Sequence, residues 1–131
     1  MDMKCLTVRQ PWAWLLVNGH KDIENRSWKT KYRRPLMIHA AQQRAVDYAA
    51  LIKELRRRHR IHIPADLPTG RIVGIVTIVD CVKKSRSRWF FGPVGFVCAR
   101  ARRLPFVPLK GRLGIFDIDP KIERRLKRRG K

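Results

Sequence analysis

Gly19, Lys21, Glu24 and Arg26, close together near the start of the chain, are spaced to build a binding or reactive site. Glu24 and Arg26 lie two apart in an extended stretch, so their side chains leave a strand on the same face. Lys21 has the opposite parity, but it follows Gly19 in a turn and is free of strand alternation. A cation, a carboxylate and a guanidinium that converge can hold a phosphate and read the edge of a base. The same three can do hydrolytic chemistry, with Lys21 polarising a carbonyl or phosphoryl oxygen while Glu24 takes a proton from water. The spacing also admits a structural reading, in which Glu24 and Arg26 are an ion pair bracing the fold and Lys21 is solvated.

Aromatic and basic residues surround this cluster in sequence. Trp12, Trp14 and Trp28 flank it, and single-stranded nucleic acid is held by stacking between cations. Trp12, directly after Gln10-Pro11, is expected to face the same cleft, with Gln10 beside it; Trp28 faces either cleft or core. Further on, Lys83, Lys84, Arg86 and Arg88 run into Trp89 and Phe90. Those two aromatics either offer stacking surfaces or plug one end of a barrel. His39 either reads a base or sits half-buried and satisfied. Arg100, Arg102 and Arg103 extend a phosphate track. Lys121, Arg124, Arg125, Lys127, Arg128 and Arg129 form a basic tail that adds affinity independent of sequence.

The elements that must position these groups follow from pattern. Residues 3–9 read as a first strand. A short helix begins at Pro11 and stops at Asn18-Gly19, which supplies left-handed turn residues. Extended segments follow at 22–28 and 35–40. Gln43 to Arg58 is helical, with Ala45, Tyr48, Ala49, Ile52 and Leu55 on one stripe and three arginines at its negative end. Pro64 and Pro68 mark a loop. Residues 70–82 are apolar on both parities, which predicts a strand covered on both faces, and Gly74 within it predicts a bulge or bend. Strands at 95–103 and 112–117 complete the set. The predicted fold is α+β, a small mixed β-barrel with helices packed outside. Residues 1–119 form one domain and 120–131 a charged tail of one or two helical turns at most.

Charge is the abnormal total. The 131 residues hold 31 Lys and Arg against 10 Asp and Glu, a net of +21, while the apolar fraction of 44% is ordinary. Such an excess repels itself in a compact chain, and a polyanion relieves it while releasing counterions. Most of it lies after residue 52, and arginine, whose planar fork suits phosphate, dominates. Nucleic acid, single-stranded RNA first, is the expected partner; a membrane is not, and no obligate protein partner is indicated. No stretch is apolar and long enough to span a bilayer, and no signal peptide opens the sequence. Cys5, Cys81 and Cys98 lack a CxxC pair, and the histidines, His59 and His62 included, lack ligand spacing. Reduced thiols, a cytoplasmic location, no metal and no cofactor are the expectations.

The segment Gly19-x-Lys21-x-x-Glu24-x-Arg26 resembles the GxKxxExR signature of the ASCH domain family, relatives of the PUA-like barrels. Gln10-Pro11-Trp12, Lys110-Gly111-Arg112-Leu113-Gly114 and the order of elements are similar to that family too, over nearly the whole chain. The resemblance implies a PUA-like barrel with the motif lining a binding cleft. It implies a divided set of functions: RNA-binding or coactivator modules, RNA cleavage, and, in one small bacterial branch, removal of the acetyl group from N4-acetylcytidine. In that branch the motif lysine works with a threonine where this chain has Glu24, so the hydroxyl nucleophile is missing from its place. RNA binding is the expectation, with a hydrolase, ribonuclease ahead of nucleoside amidohydrolase, as the alternative in which Lys21, Glu24 and Arg26 are catalytic.

Overall fold

The computed structural model describes residues 3–129, with side chains described as far as Leu126. Six strands and three helices follow in the order β1 (Lys4–Val8), α1 (Trp12–Val17), β2 (Ile23–Arg26), β3 (Pro35–Ala40), α2 (Tyr48–His59), β4 (Arg71–Val82), β5 (Val94–Pro108), β6 (Ile115–Asp117) and α3 (Pro120–Arg129). The strands make one sheet in the order β2-β5-β4-β3-β1-β6. Only β1 and β3 run parallel, Lys4 opposite Leu36 through Val8 opposite Ala40; the other pairs are antiparallel. The sheet curls into a half-barrel, and the fold is α+β as the sequence predicted. None of the described helices is long and apolar enough to cross a membrane.

β4 is the spine, and its two-sided apolar pattern has the predicted consequence. Val73, Val76 and Ile78 join the core around α1 with Leu6, Ile38 and Phe96. Ile72 and Ile75 join a second cluster, with Cys5, Met37 and Phe116. Gly74 lies at a register shift, and a Cβ there would stand 2.5 Å from Val17 and 2.7 Å from the Arg102 carbonyl oxygen. The missing side chain is what lets α1 press into the curl of the sheet.

α1 ends as its sequence dictates. Gly19 takes a φ of +77, and the Leu15 carbonyl accepts from both His20 and Lys21 at 3.0 Å, which swings the chain directly into β2. Pro11 immediately precedes the helix rather than opening it. α2 starts five residues later than the stripe predicted. Asp47 sits in the left-handed region and the Ala45 amide bonds the Gln10 carbonyl at 2.9 Å, so residues 43–47 serve as a strap. Ile52 and Leu55 then bury against Leu15, Ile23 and Trp89.

The predicted charged tail is a ten-residue helix, α3, instead of one or two turns. Asp119 accepts the Lys121 amide at 2.8 Å, Pro120 occupies the first helical position, and Ile122 and Leu126 pack on the second cluster. The side chains of Lys127, Arg128 and Arg129 lie outside the described residues.

Candidate functional site

The turn after α1 and strand β2 bring Lys21, Glu24 and Arg26 into one chain of contacts. Lys21 is only 3% exposed and donates to the Ile23 carbonyl and, at 3.2 Å, to Glu24 Oε1. Arg26 Nε donates to Glu24 Oε2 at 3.0 Å, and its Nη2 reaches across to the Thr7 carbonyl at 2.7 Å. β2 is one edge of the sheet and β1 lies near the other, so this last bond spans the open side of the half-barrel. The structural reading of the sequence put Lys21 in solvent; the structure puts it inside, with its ammonium 5.6 Å from the Trp12 ring.

Beside this triad, between β2 and the carboxyl ends of β1 and β3, lies a cleft of about 1070 Å³. Ligand pockets run to about 300–1,000 Å³, so a nucleotide-sized group fits. Arg9, Arg26, Lys110 and Arg112 line it with Trp12, Trp28, Asn25 and Ser27, and Glu24 is the one carboxylate in its wall. A smaller recess of about 200 Å³, walled by Trp12, Lys21, Glu24, Asn25 and Phe91, adjoins it.

The floor is set by His39. Its Nε2 faces the Leu109 carbonyl, which can only accept, so that nitrogen carries the proton; Nδ1, 3.2 Å from Thr7 Oγ1, is then the acceptor. Burial pushes the His39 pKa below its ordinary 6.5, against the opposing pull of the Leu109 carbonyl. Gly111 lies directly over this pair, where a Cβ would meet His39 and Thr7 at 3.0 Å. The loop 109–114 is thus seated on the floor, and at its tip Leu113 is 98% exposed. His39 is the satisfied histidine of the two alternatives, with its ring edge in the cleft wall.

Other expected residues part company. Trp12 and Trp28 border the cleft, Trp28 also packing edge-on against Phe96 at 5.1 Å. Gln10 does not: it is 1% exposed, its Oε1 accepting the Trp14 amide at 2.9 Å and its Nε2 donating to the Pro68 carbonyl at 2.9 Å. It caps α1, a need that any helix start creates. Trp89 is likewise no stacking surface. It is 2% exposed and lies against the His59 ring at 4.2 Å, because α2 needs a lid over Ile52 and Leu55. The exposed aromatic of that loop is Phe91, at 65%, which sequence reasoning passed over. Asn25 aims it: Asn25 Oδ1 accepts from the Phe91 and Gly92 amides at 2.8 and 3.1 Å, and Nδ2 donates to the Trp89 carbonyl at 2.9 Å.

Lys83, Lys84, Arg86 and Arg88 are all exposed but outside the cleft wall, as are Arg100, Arg102 and Arg103 on β5. Conversely Arg9, Lys110 and Arg112 belong to that wall; the cue for Arg9 was its place just past an apolar strand that ends at Val8. None of the three cysteines lines the cleft. Burial pushes both Cys5 and Cys98 up to about 12, which leaves them protonated. No group of His, Cys, Asp and Glu among the described residues is arranged to hold a metal ion.

Comparison with known proteins agrees with this architecture. Activating signal cointegrator 1 is 33% identical in its human form and 31% in its mouse form, each over 95% of this chain. The chain spans only 24% of the length of these relatives. Among solved structures, the ASCH protein of Zymomonas mobilis superposes with a TM-score of 0.58 at 10% identity over 96% of this chain and 94% of its own. A point mutant of that same bacterial protein gives 0.60 at 11% identity over 98% of both chains, a likeness of fold alone. Residues 6–112 match the ASCH domain, and the chain belongs to that family.

Proposed function

We propose that this ASCH domain binds single-stranded RNA, holding it in the cleft between β2 and β1. One observation carries the reading: four cations and a single carboxylate line a cleft bordered by two half-buried tryptophans. Arg9, Lys110 and Arg112 are exposed at its rim and available to phosphates, while Trp12 and Trp28 offer ring surface to bases. The triad beneath them chooses what enters. Glu24 is 7% exposed, and its Oε1, which takes one hydrogen bond from Lys21, can also accept from a base amino group.

The hydrolytic alternative asks more of Glu24. Both of its oxygens already accept hydrogen bonds from cations. Recognition rather than turnover is the role that fits these contacts.

The test is anisotropy of a labelled RNA oligonucleotide titrated with the protein between 50 and 200 mM salt, with product analysis of the same mixtures. Three phosphate contacts at about 0.7 each give a slope of log K against log salt of roughly −2. Affinity that hardly changes over that range overturns the proposal. Cleaved RNA, or deacetylation of acetylated cytidine, abolished by Lys21→Ala in a folded variant, replaces it with the hydrolase.

A further inference from the structure

A few surface cations are held in ion pairs. Lys4 meets Asp117, Arg44 meets Asp66, and Glu54 serves Arg57 and Arg58. Loops 29–34 and 83–88 instead concentrate cations without acids. Together they carry Lys29, Lys31, Arg33, Arg34 and Lys83, Lys84, Arg86, Arg88, all exposed, with no acid in either segment. Among the described residues none of the eight forms an ion pair. The acids that come near are engaged otherwise: Asp22 accepts from Ser87, and Asp80 accepts the Cys81 amide at 2.8 Å.

The fold brings these loops together. The Arg34 carbonyl accepts the Ile78 amide of β4 at 3.3 Å, and Trp28, Tyr32 and Cys81 pack on one core cluster. Lys29 and Lys83 come within reach of each other, and that proximity holds the Lys83 ammonium below its ordinary pKa of 10.5. Two like charges side by side in solvent are unfavourable without a shared counterion. Both loops are also set in shape. Ser87 Oγ accepts the Trp89 amide at 3.1 Å and Ser85 Oγ the Ser87 amide at 3.1 Å, with buried Trp89 anchoring the end. On the other side Thr30 Oγ1 accepts the Tyr32 amide at 3.1 Å, and Arg33 donates to the Thr30 carbonyl at 2.8 Å. Loops set in this way lose little backbone freedom on binding.

We infer that loops 29–34 and 83–88 form one phosphate-gripping surface outside the cleft, which takes the backbone of the bound nucleic acid where it passes Trp28. Trp28 lines the cleft and Lys29 is the next residue, so a strand leaving the cleft on that side meets Lys29 and Lys83 first. None of the large exposed apolar side chains, such as Phe91 and Leu113, falls within either loop, which suits a phosphate backbone better than a lipid surface. The inference rests on the nucleic-acid reading of the cleft.

The experiment compares the wild type, Lys29→Gln/Lys83→Gln and Lys29→Arg/Lys83→Arg on a long single-stranded RNA, on a trinucleotide, and on vesicles of phosphatidylserine and phosphatidylcholine. Removing two contacts should flatten the salt slope by about 1.4 and weaken the long RNA roughly 25-fold at 0.1 M salt, taking equal affinity at 1 M as reference. The arginine pair should keep the slope, and the trinucleotide, filling only the cleft, should bind all three proteins alike. A glutamine pair with wild-type slope and affinity overturns the inference while the cleft reading stands. Wild-type protein that binds no RNA removes both. Vesicle binding that needs Lys29 and Lys83 while RNA binding ignores them assigns the surface to lipid and overturns it.

Discussion

At the scale of single residues the arrangement turns on Glu24. It is the counter-charge for a nearly inaccessible lysine and, through Arg26, part of the bond that reaches Thr7 across the open barrel. Taking away that charge strands Lys21, whose other acceptor is only the Ile23 carbonyl. Removing one partner of a buried pair costs about 3–5 kcal/mol, much more than forming the pair contributes. Glu24→Gln should therefore lower the urea midpoint by that equivalent, and Lys21→Met/Glu24→Gln should lose less than the sum of the single losses. Additive losses in the double variant would show that the two side chains are not coupled. This contact was half legible in the sequence. Spacing placed Glu24 and Arg26 on one face, but the burial of Lys21 comes from the packing of α1 and Trp12, which no local pattern reports.

The loop between β5 and β6 shows how elements hold the cleft. Its first carbonyl, on Leu109, is tied to His39 of β3, and Gly111 rests on the same ring and on Thr7 of β1. Because burial lowers the His39 pKa, the folded state favours the neutral ring, while the unfolded chain takes up a proton near 6.5. The stability this gives is complete above about pH 6.5 and is lost as pH falls from there through the folded-state value. His59, lowered by burial and then by Arg88 and Arg58, adds in the same direction. Each histidine can contribute a slope of up to about 1.4 kcal/mol per pH unit. His39→Asn should flatten the fall in denaturation midpoint between pH 7.5 and 5.5, and an unchanged fall would place the titrating group elsewhere. The strands and the turn at Gly19 were legible because periodicity and left-handed residues are local signals. The late start of α2, the capping by Gln10 and the burial of Trp89 were not, since each is decided by a partner far away in sequence. Helix α3 had a readable start, Asp119-Pro120, and an Ile122/Leu126 pair that the density of charge concealed.

For the whole molecule the net charge of +21 makes two opposite demands on salt. With no polyanion bound, the like charges of the loops, of β5 and of α3 repel, and the folded chain holds them closer than the unfolded one does. Added salt shortens the Debye length from about 10 Å at 0.1 M to about 3 Å at 1 M, so it screens that repulsion. The free protein should melt at a higher temperature in 0.5 M sodium chloride than in 0.05 M. The complex should behave the other way, because condensed counterions compete for the same phosphates. RNA at saturating concentration should raise the melting temperature strongly at 0.05 M and scarcely at 0.5 M. Melting curves across the salt series, with and without RNA, should therefore converge as salt rises, the free protein climbing while the added stability from RNA shrinks. A free protein whose melting temperature is flat or falls with salt would mean that the cations are too far apart to strain the fold. In that case the unpaired lysines of the two loops would carry no cost for a bound phosphate to relieve.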